Sequence, residues 1–200
     1  MSAAVELWLV RHGETEWSLS GKHTSRTDVP LTDKGRQRAE ELRLYLGERP
    51  FDAVLTSPMV RARETCAIAG YRAQARVDEG LREWDYGVYE GKTTKEIRET
   101  EPGWSVWKDE IRGGETAEHV GERADGVIER ALALAAGKEH GRVALFAHAH
   151  ILRILAARWI GQPAQDGRLL ALGTGSLSVL GWERETRVIE RWNRGFEEED

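Results

Sequence analysis

A largely apolar run over residues 5–10 stops abruptly at Arg11-His12-Gly13. It reads as a buried strand that delivers an imidazole beside a fixed positive charge. Similar short runs recur, and strands are expected over 5–10, 52–56, 142–147, 176–181 and 187–192, with a further short one at Val77. Between them lie longer amphipathic segments. Helices are expected over 32–46, where Thr32-Asp33 can cap, over 60–69 after Pro58, over 116–136 behind a Thr116 N-cap, and over 151–159, stopping at Gly161. Strands alternating with helices give an α/β fold, here a three-layer α/β/α sandwich with a mostly parallel central sheet.

A chain of 200 residues supports one domain with a substantial core and is too short for two ordinary ones. The expectation is a single domain over 1–200, in which the segment 86–114, rich in glycine, charge and tryptophan, breaks the alternation and covers one end of the sheet. The 29 Lys and Arg are scattered among 34 Asp and Glu, for a formal net charge of -5, which argues against a general nucleic-acid partner. The single cysteine, Cys66, excludes an internal disulfide and reads as a small core residue in a reducing compartment. No charged start with a long apolar segment opens the chain, and no run approaches a membrane span. A soluble, cytoplasmic protein is expected, with no membrane partner and an acidic tail over 197–200. An apolar strand at the C-terminal edge of the sheet could pair two copies as a homodimer.

In open α/β sheets ligands bind beyond the C-terminal ends of the strands, so residues that follow different strands belong together. The first strand ends in Arg11-His12-Gly13; the second leads through Ser57-Pro58 to Arg61 in the first turn of the next helix; the third ends in His148-Ala149-His150. Histidine attacks phosphorus as a neutral nucleophile, a guanidinium holds two phosphate oxygens, and a helix N-terminus attracts anions. Phosphoryl transfer also needs a proton donor for the leaving oxygen, and Glu83, set among Trp84 and Tyr86, is the candidate. Ser57 either binds phosphate or caps its helix. Tyr86 either touches substrate or packs. Trp104 and Trp107, three apart, make core contacts or form a lid. His148 and His150 lack an obvious carboxylate third ligand, so no metal site is assigned.

The chain resembles the histidine phosphatase, or phosphoglycerate mutase-like, superfamily. The resemblance lies in Leu9-Val10-Arg11-His12-Gly13-Glu14-Thr15-Glu16-Trp17, in Asp28-Val29-Pro30-Leu31-Thr32 with Gly35, in Ser57-Pro58 through Arg61-Ala62 and Thr65, in Leu81-Arg82-Glu83 with Gly87 and Glu90-Gly91, in Gly114-Glu115-Thr116 and in His148. It implies that His12 accepts the phosphoryl group, that Arg11, Arg61 and His148 bind it, and that Glu83 protonates the leaving oxygen and then helps activate water. Neither a metal nor another cofactor is implied. Two positions depart from the family pattern: Ala149 follows His148 where glycine is usual, and Ser18 stands where asparagine is frequent. The motif after Glu83, together with the segment through Ser18, Thr24 and Ser25, resembles the branch of sugar bisphosphatases and mutase-like acid phosphatases. This resemblance places Ser18, Thr24, Ser25, Ala149, His150 and Arg153 on the substrate side. Expected, therefore, is a phosphomonoester hydrolase acting on small phosphorylated metabolites such as sugar phosphates. The short path from Gly91 to Gly113 favours it over a cofactor-dependent mutase, and the pairing of His12 with Glu83 favours it over a non-catalytic phosphate- or protein-binding module.

Overall fold

A computed structural model describes residues 4–195; the acidic tail over 197–200 lies outside the described residues. The chain runs β1 (Ala4–Arg11), α1 (Glu16–Ser20), α2 (Asp33–Leu46), β2 (Ala53–Thr56), α3 (Val60–Ile68), β3 (Ala75–Val77), α4 (Thr94–Thr100), α5 (Ala117–Leu134), β4 (His140–Ala147), α6 (Ala149–Trp159), β5 (Leu177–Glu183) and β6 (Thr186–Arg194). All six strands form one sheet in the order β3-β2-β4-β1-β5-β6. The first four are mutually parallel, and β5 and β6 close the sheet as an antiparallel pair.

The nearly unbroken apolar runs follow from burial on both faces, because successive side chains point to opposite sides of a strand. Leu7, Leu9, Leu55, Val143 and Leu145 meet α5 and α6 in one core, whereas Trp8, Val10, Val54, Ala144 and Phe146 meet α2 and α3 in the other. Cys66 belongs to this second core, and burial pushes its thiol up to about 12. Thr32 and Thr116 cap their helices through Gly35 N–H and His119 N–H. α6 starts two residues earlier than its apolar periodicity indicates, with His148 as N-cap.

Two close backbone approaches fix the turn after β1. A Cβ on Gly35 would lie 2.2 Å from the Glu14 carbonyl oxygen, and one on Gly13 would lie 2.4 Å from that of Gly35, so the turn rests directly on the start of α2. The 86–114 segment leaves and rejoins the body at one place, where Val88 N–H bonds the Arg112 carbonyl and Glu115 N–H that of Asp85. Its Tyr89, Ile97, Trp104, Val106 and Ile111 are buried in the α5/α6 core.

The C-terminal edge differs from expectation. β6 is the edge strand, but most of its residues are exposed or half-buried, and Arg187, Glu190, Arg191 and Arg194 are spread along it. Charge of this kind discourages edge-to-edge pairing, so the strand is not the apolar surface expected at this edge. No helix among the described residues is long and apolar enough to cross a membrane.

Candidate active site

Because β4 lies between β1 and β2 in the sheet, three segments far apart in sequence meet beyond its C-terminal edge. β1 brings Arg11 and His12, the β2–α3 link brings Ser57 and Arg61, and β4 brings His148. The His12 main chain is tied on both sides, its N–H to the Ala147 carbonyl at 3.0 Å and its carbonyl to Gly175 N–H at 2.9 Å. Its Nδ1 lies 2.7 Å from the Gly13 carbonyl oxygen. A carbonyl only accepts, so Nδ1 carries the hydrogen. Burial, reinforced by the charges of Arg11 and Arg61, holds the ring pKa well below the usual histidine value. The neutral ring therefore presents an unshared pair on Nε2.

The same reasoning settles His148. Arg61 Nε donates to its Nδ1 at 3.2 Å, which leaves the hydrogen on Nε2, and Nε2 donates to Ser57 Oγ at 2.7 Å. Ser57 Oγ also accepts Met59 N–H at 3.3 Å, so its own O–H hydrogen is spare. Arg61 is fully buried, and its terminal nitrogens reach the carbonyls of Thr27 at 3.1 Å and of Thr24 and Ser25 at 3.2 Å each. The Arg11 guanidinium bonds the Leu172 carbonyl through Nη1, while its buried Nε has no protein partner. An orphaned charged donor beside a neutral histidine suits an anion.

Glu83 is buried on the opposite side. Its Oε1 accepts the N–H groups of Trp84 at 3.0 Å and Ile151 at 2.9 Å, and its Oε2 accepts that of His150 at 3.0 Å. A carboxylate offers about four acceptor positions, so one position on Oε2 stays open. Arg123 secures the loop from behind, with both Glu115 oxygens at 2.7 Å and the carbonyls of Gly80 and Arg82 at 2.8 and 3.0 Å.

One further stretch of the wall, formed by His23, Tyr86 and His150, is aromatic and uncharged. Tyr86 Oη lies 2.6 Å from His150 Nδ1, and burial pushes the phenol up and the imidazole down, so both groups of this hydrogen bond are neutral. The His23 ring lies 4.7 Å from Tyr86 and 5.4 Å from Trp104, and the His150 ring 5.1 Å from Trp107. Both tryptophans thus back the wall through these histidines.

Burial lowers the His23 pKa to about 4, against a small opposing pull from Glu90. The unfolded chain, with its histidine near 6.5, then takes up the proton first. The resulting penalty is absent above 6.5, grows as the pH falls, and reaches about 3 kcal/mol near 4. Denaturant unfolding of His23→Phe between pH 4 and 7 is expected to show a shallower loss of stability on acidification than the unsubstituted protein. Equal slopes would show that His23 is not held neutral by burial.

Arg11, His12, Glu83, Ser18, Thr24, Tyr86, Ala149 and His150 line one cavity of about 180 Å³. The other expected residues lie outside its wall. Arg61, His148 and Ser57 sit behind it, and Ser25 anchors a loop through Glu90 at 2.9 Å and the Glu83 carbonyl at 3.3 Å. Arg153 is drawn away to the Gly167 and Arg168 carbonyls, at 3.1 and 3.2 Å, with its guanidinium over Trp107. Ser18 lines the cavity, but its hydroxyl takes Thr15 N–H and donates to the Thr15 carbonyl, closing the cap of α1. Thr15, Gly21, Lys22 and His23 line the cavity without having been singled out from the sequence. Lys22 and His23 are fixed there by pairings that no local pattern announces, His23 N–H to the Lys92 carbonyl and Gly91 N–H to that of His23. Among the described residues no group of three or more His, Cys, Asp or Glu side chains is placed to hold a metal ion.

Residues 7–195 match the histidine phosphatase superfamily (branch 1). The chain is 40% identical over 185 residues to an acid phosphatase of Mycobacterium tuberculosis, covering 92% of this chain and 89% of that protein. It is 38% identical over 188 residues to sedoheptulose 1,7-bisphosphatase of Saccharomyces cerevisiae, covering 78% of this chain and 68% of that protein. The solved structure of the Rv3214 product of Mycobacterium tuberculosis superposes with a TM-score of 0.88 at 38% identity, covering 96% of this chain and 98% of that one. Matched over nearly its whole length and sharing the fold, the chain belongs to the histidine phosphatase superfamily.

Proposed function

We propose that the protein hydrolyses phosphomonoesters of small metabolites, sugar phosphates among them, through a phosphoryl group carried on His12. The observation that carries this reading is the bond from His12 Nδ1 to the Gly13 carbonyl, which leaves Nε2 unprotonated in the cavity that Glu83 shares. In the first step Nε2 attacks phosphorus, the P–O bond to the leaving group breaks, and protonated Glu83 gives its proton to the departing oxygen. Arg11 Nε meets the transferred group, and the buried Arg61 charge adds to the field. In the second step the Glu83 carboxylate takes a proton from water, the water oxygen attacks phosphorus, and the P–N bond to His12 breaks. Inorganic phosphate forms and Glu83 is protonated again. The neutral wall of His23, Tyr86 and His150, with Thr24 and Ala149, faces the leaving group, and the 86–114 segment forms the cover behind it.

Phosphate release is tested on an aryl phosphate, sugar mono- and bisphosphates, and 3-phosphoglycerate with and without bisphosphoglycerate, all with chelator present. Release from several esters is expected. Isomerisation of phosphoglycerate without release would make the protein a mutase, and no turnover of any ester by folded protein would remove the enzymatic reading.

A further inference from the structure

The cavity contains one cation that the proposed chemistry does not use. Arg11 meets the transferred phosphoryl group at the base, while Lys22 lines the same cavity on the loop after α1. α1 ends at Gly21, whose φ of 73° turns the chain sharply. The Lys22 main chain is then held on every side: its N–H bonds the Trp17 carbonyl at 2.9 Å, its carbonyl accepts the Thr24 hydroxyl at 3.0 Å, and the residue bridges Thr93 as an isolated β pair. Its ammonium lies 5.6 Å from the centre of the Trp17 ring. That ring fills the space above Gly91, where a Cβ would come within 3.1 Å of it. The root of the side chain is thus fixed, and its stem has an aromatic surface to lie along.

Among the described residues no carboxylate lies within ion-pairing distance of Lys22. Glu96 feels its charge, but its Oε2 is committed to the N–H and hydroxyl of Thr93 at 2.7 and 2.9 Å. Of the other wall residues, His12, His23 and His150 are held neutral by burial, and the Glu83 carboxylate is engaged by three backbone donors and forms no ion pair with Lys22. A cation held at a cavity wall without its own anion favours a ligand that brings one.

We propose that Lys22 recognises a second anionic group on the substrate, a phosphate or a carboxylate at the end remote from the scissile ester. The inference rests on the phosphatase reading and narrows it to esters bearing two anionic groups, one held at the Arg11 end and one at the Lys22 end.

Matched pairs that differ in the second group test it: fructose 1,6-bisphosphate against fructose 6-phosphate, and 3-phosphoglycerate against glycerol 3-phosphate. kcat/KM is measured for each, with 4-nitrophenyl phosphate as a report on the chemistry alone. The dianionic member is expected to be preferred in at least one pair, and the pair that shows it identifies phosphate or carboxylate as the group read. Lys22→Gln is expected to lower that preference about tenfold, the scale of one lost charge-assisted contact, and Lys22→Arg to retain most of it. If the aryl ester is hydrolysed but neither ratio responds to Lys22→Gln, the assignment of Lys22 falls and the phosphatase reading stands. If folded protein hydrolyses neither the aryl ester nor the others, the phosphatase reading falls and this inference with it.

Discussion

His12→Ala is expected to lower phosphate release by about 10⁴-fold or more, because the other neutral imidazoles of the cavity are engaged elsewhere, His150 Nδ1 by the Tyr86 hydroxyl and the His23 ring between Tyr86 and Trp104. Arg11 is committed to its charge, and His148, seated outside the wall, has both ring nitrogens bound to Arg61 and Ser57. The fold is expected to survive. The main-chain bonds of His12 to Ala147 and Gly175 do not involve its ring, and among the described residues the ring's one hydrogen bond is to its own neighbour Gly13. A thermal melt should therefore register a change worth about 1–2 kcal/mol. Rapid acid-free quenching with labelled ester should trap a phosphoenzyme that is stable to alkali and labile to acid, present in the unsubstituted protein and missing from the variant. Substantial residual turnover, or label retained in His12→Ala, would place the acceptor elsewhere.

Glu83→Gln separates protonation from binding. Esters with poor leaving groups, such as sugar phosphates, are expected to lose about 10²–10⁴-fold in kcat, while aryl phosphates, whose oxygen leaves without help, lose far less. The substitution has a structural cost that must be measured alongside. Glutamine keeps one acceptor for the Trp84 and Ile151 N–H groups but turns an amide donor toward His150 N–H, which leaves a buried donor unmatched and costs about 1–3 kcal/mol. A loss of stability lowers activity on every ester alike, so the ratio between alkyl and aryl substrates isolates the proton transfer. Equal losses on both classes would assign the donor role to another group.

The sheet and four of its helices were legible because their residues are buried in quantity. β1 and β4 lie between two cores and read as continuous apolar runs, and α5 buries a clear stripe from Ala117 to Ala131. α1 buries no residue and α4 only Ile97, so neither carries a periodic signal; the capping boxes from Thr15 to Ser18 and from Thr93 to Glu96 were the available marks. Placement at strand ends was enough to gather Arg11, His12 and His150, and aromatic neighbours singled out Glu83, but spacing along a helix does not say which way a long side chain turns. Arg153 stands three residues beyond His150 and is nevertheless claimed by Trp107 and two carbonyls. Lys22 and His23 stayed hidden because a pairing across about seventy positions sets their loop.

The seat of Arg61 ties two distant parts of the site together. One buried guanidinium holds His148 with one nitrogen and the carbonyls of Thr24, Ser25 and Thr27 with the others, so the loop that brings Thr24 to the cavity and the histidine behind His12 share a single hub. A shift of residues 24–27 is therefore expected to pass through Arg61 to His148. The side chains of Lys22 and Ser18 line the cavity but make no bond to Arg61, so a substitution there is expected to alter the cavity wall without disturbing this hub.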